Sequence, residues 1–196
     1  MMRVDFPTNP YDGKDILQPY YDFEAGVNVL VGKNGAGKST VLNLLENHLR
    51  KKESPVIAYN NLHDGGHVAI ANAVGVGNWS AVAQRAFHSE GEQIKTNLGD
   101  FAEKLGKFIN RKGENNQRWV LLDAVDSGLS IDNIKELKGL FKLVVKDAIS
   151  KGLELYVVVA ANTFALVKKE RCIDVKSGKI IQFGEYEEFE KFITKK

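Results

Sequence analysis

The chain has 196 residues, of which 43% are hydrophobic and 27% are charged, which is enough apolar content for one domain with a substantial core. Its formal charge of +2 at pH 7 is too small to indicate a protein that coats nucleic acid, and the single cysteine, Cys172, excludes a disulfide framework. No apolar run reaches the roughly 18 to 20 residues that a membrane span requires, so we expect a cytoplasmic protein.

The first strong pattern along the chain is a strand, a glycine-rich loop and a helix. Residues 27–31 are predicted to form a buried strand, residues 32–40 read Gly-Lys-Asn-Gly-Ala-Gly-Lys-Ser-Thr, and residues 39–51 have the apolar spacing of a helix. A triphosphate requires many inward-pointing N–H donors and little steric bulk, which three glycines before a helix N-terminus provide. The alternative is a glycine-rich turn before an ordinary helix.

The polar residues of this loop predict a site for ATP and Mg²⁺. Lys38 is placed to reach the β and γ phosphates, and the hydroxyl of Ser39 is placed to ligate the metal. We expect the nucleotide to be bound by Asn34, Gly35, Ala36, Gly37, Lys38, Ser39 and Thr40.

Further along, the apolar runs at residues 118–122 and 155–160 predict two central strands. An amphipathic helix is predicted between them over residues 131–149, and Ser130 is placed to cap its N-terminus. A second amphipathic stretch covers about residues 92–110. A hairpin around Ser177-Gly178 and a closing helix at 186–193 end the pattern. Short apolar runs that alternate with helices predict an α/β domain with a largely parallel sheet.

Asp123 directly follows the run at 118–122. A carboxylate at the end of a strand beside the loop strand can hold the magnesium ion through water, so we expect Asp123 to be a metal residue together with Ser39.

Residues 121–130, Leu-Leu-Asp-Ala-Val-Asp-Ser-Gly-Leu-Ser, resemble the Walker B segment and D-loop of ABC-type ATPases, especially the heads of chromosome-maintenance (SMC-type) and recombination-repair ATPases. The peptide Ser89-Glu90-Gly91-Glu92-Gln93 is similar to their signature. The resemblance implies one ABC-type domain over residues 1–196, with a mostly parallel sheet flanked by helices, N-terminal antiparallel strands and a reduced helical subdomain. Only 51 positions separate Lys38 from Ser89, too few for coiled-coil arms.

In that family two heads enclose each ATP between the loop of one head and the signature of the other. The resemblance therefore implies a homodimer that forms on ATP binding, with Ser89 and Gly91 on the γ phosphate. Alternatively, Ser89 only caps the helix that begins near Glu92.

The family also has a glutamine-type loop that contacts the metal, for which Asn61 is the candidate, with Asn60 and His63 close behind. A polar switch residue follows the next strand, where Asn162 stands. Alternatively, Asn162 caps the short helix that follows it.

The sequence departs from the family directly after Asp123. The family places there the glutamate that polarises the attacking water, and this chain has Ala124, which cannot accept a proton. Asp126 is the other carboxylate of the segment. It either replaces the missing base or belongs to the D-loop and meets the partner head.

These observations predict an ATP-binding, slowly hydrolysing head whose dimerisation around ATP and Mg²⁺ switches a protein partner or a DNA-related process, such as repair or recombination. The alternatives are the nucleotide-binding subunit of a membrane transporter and an ATP-bound scaffold that does not hydrolyse.

Overall fold

The structure is a computed structural model that describes residues 1–6, 18–60, 104–111, 115–127 and 129–194. Its strands are β1 (Met2–Asp5), β2 (Tyr20–Phe23), β3 (Gly26–Val31), β4 (Val56–Asn60), β5 (Gln117–Asp123), β6 (Glu154–Ala160), β7 (Cys172–Asp174) and β8 (Ile180–Ile181). Its helices are α1 (Lys38–Lys51), α2 (Ile131–Ser150), α3 (Phe164–Val167) and α4 (Tyr186–Thr194), and residues 104–110 are also helical.

Six strands form one sheet in the order β4-β5-β6-β3-β7-β8. The first four neighbouring pairs are parallel, and only β7 and β8 pair antiparallel. β1 and β2 form a separate antiparallel pair. The prediction of an α/β fold with a mostly parallel sheet and N-terminal antiparallel strands is therefore confirmed.

The core lies on both faces of the sheet because each central strand is buried on both sides. On β5, Trp119 and Leu121 point into a cluster with the apolar side of α1 and the β1–β2 pair. Val120 and Leu122 point into the opposite cluster, which α2 and α4 complete. α1 and Ala36 of the segment before it are consequently packed against one face of the sheet.

Helix α2 has the ends that its sequence predicts. The Ser130 hydroxyl accepts a hydrogen bond from the backbone N–H of Asn133 at 3.2 Å, as an N-cap does. Gly152, two residues beyond the helix, adopts a left-handed conformation with φ of 71°.

The remaining helical predictions are confirmed only in part. Residues 104–110 are helical, while the start of the predicted stretch at 92–103 and the region of the reduced helical subdomain lie outside the described residues. α3 begins after Thr163, which is its N-cap residue, so the alternative in which Asn162 occupies the cap position is wrong. Within the described ranges, no helix has the length and apolar character that crossing a bilayer requires.

Candidate functional site

The candidate site lies at one edge of the sheet, where the carboxyl ends of four parallel strands meet. β3 leads into the glycine-rich loop, and β6, β5 and β4 follow in that order beside it. Asp123 ends β5, Asn60 ends β4, and Asn162 follows β6. Ligands of open parallel sheets bind at this edge, so the topology assembles residues that are far apart in sequence.

The loop of residues 32–40, here called the P-loop, has a backbone that requires glycine. Gly32 has φ of 159°, and a Cβ atom placed on it would lie 2.9 Å from the Cβ of Ala36 and 3.0 Å from Cγ2 of Val175. Gly37, the N-cap of α1, has φ of 99°. The chain therefore turns tightly, and Gly32 packs closely against Ala36 of the same loop and against Val175.

The N-terminus of α1 offers donors without a side chain to satisfy them. The first helical bond runs from the N–H of Val41 to the carbonyl of Gly37, so the N–H groups of Lys38, Ser39 and Thr40 precede the ladder. Gly37 has no side chain that could cap the helix. All residues of the first turn of α1 are among the described residues, and none of them is acidic. Such a helix end fits an anionic phosphate.

Lys38 is the one buried cation of the loop, with 8% of its surface exposed. Its Nζ donates to the carbonyl oxygens of Gly32 at 2.9 Å and Lys33 at 3.3 Å, which are groups of its own loop. Burial lowers the pKa of Lys38, while the carboxylates of Asp126 and Asp123 act to raise it. The ammonium group is therefore held over the P-loop and is attracted by two carboxylates across the site.

Asp123 lies at the end of β5 and is 9% exposed. Its Oδ2 accepts a hydrogen bond from Nδ2 of Asn60 at 3.3 Å, and the two residues are direct partners in the β4–β5 register. Ser39, on the first turn of α1, is exposed. The exposed Ser39 hydroxyl and the Asp123 carboxylate are oxygen ligands of the kind that Mg²⁺ takes, so the donor chemistry fits ATP with magnesium.

Asn60, which the sequence placed behind Asn61 as a candidate for the metal-contacting loop, lies beside Asp123 in this corner of the site. Asn61, the candidate for the metal-contacting loop, lies outside the described residues, as do Ser89 and Gly91. The signal that could have identified Asn60 is its register: a strand paired in parallel with β5 ends beside Asp123.

Ala124 has a backbone conformation that is unusual for its type. Its φ is 53°, in the left-handed region, and it is 8% exposed. Such a conformation costs a non-glycine residue about 1–2 kcal/mol. The strain lies at the position where a catalytic glutamate was expected, directly after Asp123.

Asp126 makes contacts that the sequence did not indicate. It is 2% exposed, and its Oδ2 accepts from the backbone N–H groups of Asn162 at 2.7 Å and Thr163 at 2.8 Å. Its Oδ1 accepts from Nδ2 of Asn162 at 3.4 Å. Asn162 is an exposed residue whose backbone N–H is held by Asp126.

Several aromatic residues precede the P-loop and are of the type that stacks on a nucleotide base, among them Phe6, Tyr11, Tyr20 and Tyr21. Phe6 and Tyr21 are 7% and 1% exposed and pack edge to face, so both belong to the core. Tyr20 is 42% exposed, but the guanidinium of Arg3 lies 3.9 Å from its ring centroid. Tyr11 lies outside the described residues.

Comparison with known proteins agrees with this geometry. The family model described as ABC transporter matches residues 22–153, more than half of the 196-residue chain and a range that contains the P-loop and Asp123. No curated protein matched the chain. Domains of this family bind ATP with Mg²⁺ and typically dimerise. The chain therefore belongs to the ABC transporter family and is an ATP-binding, ABC-type ATPase domain.

Proposed function

We propose that this domain is an ATP-dependent switch that hydrolyses slowly and closes head to head with a second copy around ATP and Mg²⁺. The observation that carries the proposal is the composition of the site edge. It combines a P-loop suited to phosphate with the carboxylate of Asp123, which is suited to Mg²⁺, and it has Ala124 at the next position instead of a glutamate. Binding is supported by every element of the site, whereas the group that activates water is missing from its usual place.

In the proposed complex, different residues hold the phosphates and the magnesium ion of ATP. The N–H groups of Lys38, Ser39 and Thr40 hold the phosphates, and the ammonium of Lys38 turns from its loop carbonyls to the β and γ oxygens. Bound magnesium supplies charge neutralisation on those oxygens. Ser39 and Asp123 would hold that ion, with Asn60 orienting the carboxylate of Asp123.

Slow hydrolysis follows from how the carboxylates near the phosphates are used. Ala124 has no proton acceptor, and Asp126 is buried with Oδ2 accepting two backbone N–H groups. A base must present a lone pair to the attacking water, and burial leaves Asp126 poorly placed for this. We infer that ATP persists in the site long enough for its binding, rather than its turnover, to set the state of the domain.

Head-to-head closure is proposed from the family and from the motif order, with Ser89 and Gly91 contributed to the ATP of the other copy. The test is the molar mass in solution with ATP and Mg²⁺, with ADP and Mg²⁺, and without nucleotide. We expect the molar mass to double only in the sample with ATP and Mg²⁺. The Lys38→Ala variant should show no doubling in any of the three samples. A wild-type protein that stays monomeric while saturated with ATP would remove the closure model and the roles of Ser89 and Gly91.

A role with DNA or a DNA-processing protein is supported by the resemblance of residues 121–130 to chromosome-maintenance and recombination-repair heads. The test is fluorescence anisotropy of a labelled DNA duplex at a fixed salt concentration, with ATP or ADP present. Tighter binding with ATP supports a DNA switch, and equal weak binding in both states directs the search to a protein partner.

Two other functions use the same site. A nucleotide-binding subunit of a transporter is favoured by the family match at residues 22–153, and it requires ATP turnover stimulated by a membrane partner. A scaffold that does not hydrolyse is favoured by Ala124. Single-turnover assays distinguish the scaffold, because a scaffold would release no phosphate above the buffer rate while ATP stays bound.

A further inference from the structure

We infer that Asp126 is a positioning residue that holds Asn162 against the γ-phosphate position and so lets the site distinguish ATP from ADP. The inference rests on the proposed function, because it assumes that the nucleotide occupies the P-loop. It assigns Asp126 a role within its own chain, which differs from both roles that the sequence suggested.

The contacts of Asp126 join two strand ends. Asp126 lies three residues beyond the end of β5, and the groups that it binds lie just after the end of β6. The N–H of Ala161 in the same segment donates to the carbonyl of Leu30 on β3 at 3.1 Å. The segment after β6 is therefore tied on one side to the strand that leads into the P-loop and on the other side to Asp126.

A buried carboxylate is retained only when hydrogen bonds offset the cost of removing it from water. At 2% exposure, Asp126 obtains two short bonds from backbone N–H groups, and its charge also attracts the ammonium of Lys38. These contacts fix the backbone of Asn162, which is an exposed residue. Nδ2 of Asn162 bonds to Asp126 through one hydrogen at 3.4 Å, which leaves its second hydrogen for a phosphate oxygen.

The γ phosphate is the one group that ATP has and ADP lacks. Asn162 follows β6, which lies beside the strand that leads to the P-loop, so both segments are at the same edge of the sheet. The amide of Asn162 is assigned to the γ phosphate of a nucleotide bound at Lys38. A hydrogen bond to a charged group contributes enough that its loss changes affinity by roughly tenfold or more. Asp126 acts on this bond through Asn162, whereas its attraction for Lys38 bears on the β phosphate that both nucleotides carry. The positioning role should therefore appear in the ratio of the ATP affinity to the ADP affinity.

The test compares dissociation constants for ATP and ADP, both with Mg²⁺, in wild type, Asp126→Asn, Asn162→Ala and the double variant. We expect wild type to prefer ATP. Each single variant should lower the ratio of the ATP affinity to the ADP affinity by roughly tenfold. The double variant should lower this ratio by no more than the larger single effect, because both substitutions remove the same contact. Asp132→Asn makes the same chemical change at an exposed residue of α2 and should leave the ratio unaltered.

A purely structural role for Asp126 would lower both affinities together or lower the melting temperature without changing the ratio, and either result overturns the inference. Should Asp126→Asn fail to fold, Asp126→Ser keeps one acceptor oxygen and supplies the same measurement. An unchanged ratio in Asp126→Asn, with wild type still preferring ATP, overturns the positioning role alone. Absence of ATP binding in wild type overturns the proposed function as well.

Discussion

Ala124 is the residue at which this site departs most from an active ATPase. Ala124 follows Asp123, where the resemblance implies a glutamate that contacts the attacking water, and its backbone has φ of 53°. A left-handed residue between a strand end and a tight turn is a local strain of the kind that is found at functional sites. The turn is closed by the N–H of Ser127, which donates to the Ala124 carbonyl at 3.2 Å.

We predict that Ala124→Glu increases the single-turnover rate of ATP hydrolysis by at least about tenfold, because a positioned general base contributes roughly 10²–10⁴-fold. The measurement is phosphate release with enzyme in excess over ATP. Ala124→Gly is the matched control: it suits the positive φ, adds no carboxylate, and should change the free energy of unfolding by less than about 1 kcal/mol with no gain in rate. Equal rates in wild type and Ala124→Glu would show that the missing base does not limit turnover.

Single residues differ in how well the sequence predicted them. Lys38, Ser39 and Asp123 could be placed because the spacing of a P-loop and the end of an apolar strand determine where such side chains lie. The bond from Asp126 to Asn162 could not be predicted, since it joins positions 36 apart whose proximity depends on β5 and β6 being neighbours. Asn60 was ranked behind Asn61 because the last residue of β4 is known only from its register with Asp123.

At the scale of elements, the close approach of the P-loop to its surroundings gives the next prediction. Gly32→Ala should distort the loop, weaken ATP binding and lower the free energy of unfolding by about 1–3 kcal/mol, because the new Cβ meets Ala36 and Val175 at 3.0 Å or less. Urea denaturation and ATP titration measure the two effects.

Gly139→Ala is the matched control for that substitution. Gly139 lies within α2 with no atom within 4 Å of its added Cβ, so the change should stabilise the helix by roughly 0.5–1 kcal/mol and leave ATP binding unaltered. Equal stability losses at both glycines would contradict the packing at Gly32.

Helix α4 has an acid-sensitive N-terminus. Oε2 of Glu188 accepts from the backbone N–H groups of Gly184 at 2.9 Å and Glu185 at 3.3 Å, and these bonds lower the pKa of Glu188 below its ordinary value of 4.5. A carboxyl whose pKa is lowered on folding stabilises the protein above the unfolded-state pKa, and this contribution disappears as the pH falls through the folded-state pKa.

We therefore predict that wild type is more stable than Glu188→Gln at pH 7 and that the difference narrows between about pH 5 and pH 3. Thermal unfolding of both proteins across this range measures the difference. Glu187→Gln, on the same turn, should show a smaller effect at every pH. A difference that stays constant down to pH 3 would contradict the role of the Glu188 charge.

The elements most accurately predicted are those with long, regular patterns. The predicted helix at 131–149 is observed as Ile131–Ser150, and the predicted strand at 155–160 as Glu154–Ala160. The sequence predicts hairpin strands at residues 171–175 and 179–183, and they are observed as Cys172–Asp174 and Ile180–Ile181. Among the described strands, β8 has one neighbour and lies at the edge of the sheet. Length at an edge depends on the partner strand, which a local pattern does not contain.

At the scale of the whole molecule, the order of strands explains why one edge holds every described site residue. β3, β6, β5 and β4 lie side by side and parallel, so the P-loop, the Asn162 segment, Asp123 and Asn60 follow one another along the edge. Ligand binding at this edge connects four strands that are otherwise joined only through the sheet. ATP should therefore stabilise the domain as a unit, by about 2.7 kcal/mol at a concentration one hundred times its dissociation constant.

The central claim is that the P-loop and its lysine capture ATP with Mg²⁺, and titration calorimetry of ATP into wild type and Lys38→Ala, with magnesium and with a chelator, tests it most directly. Lys146→Ala is the control, because Lys146 is exposed and lies beside the start of β3, away from the P-loop. We predict one ATP per chain in wild type and Lys146→Ala, weaker binding without magnesium, and at least roughly tenfold weaker binding in Lys38→Ala. Equal affinity in wild type and Lys38→Ala, or no binding heat in any of the three proteins, would contradict the account.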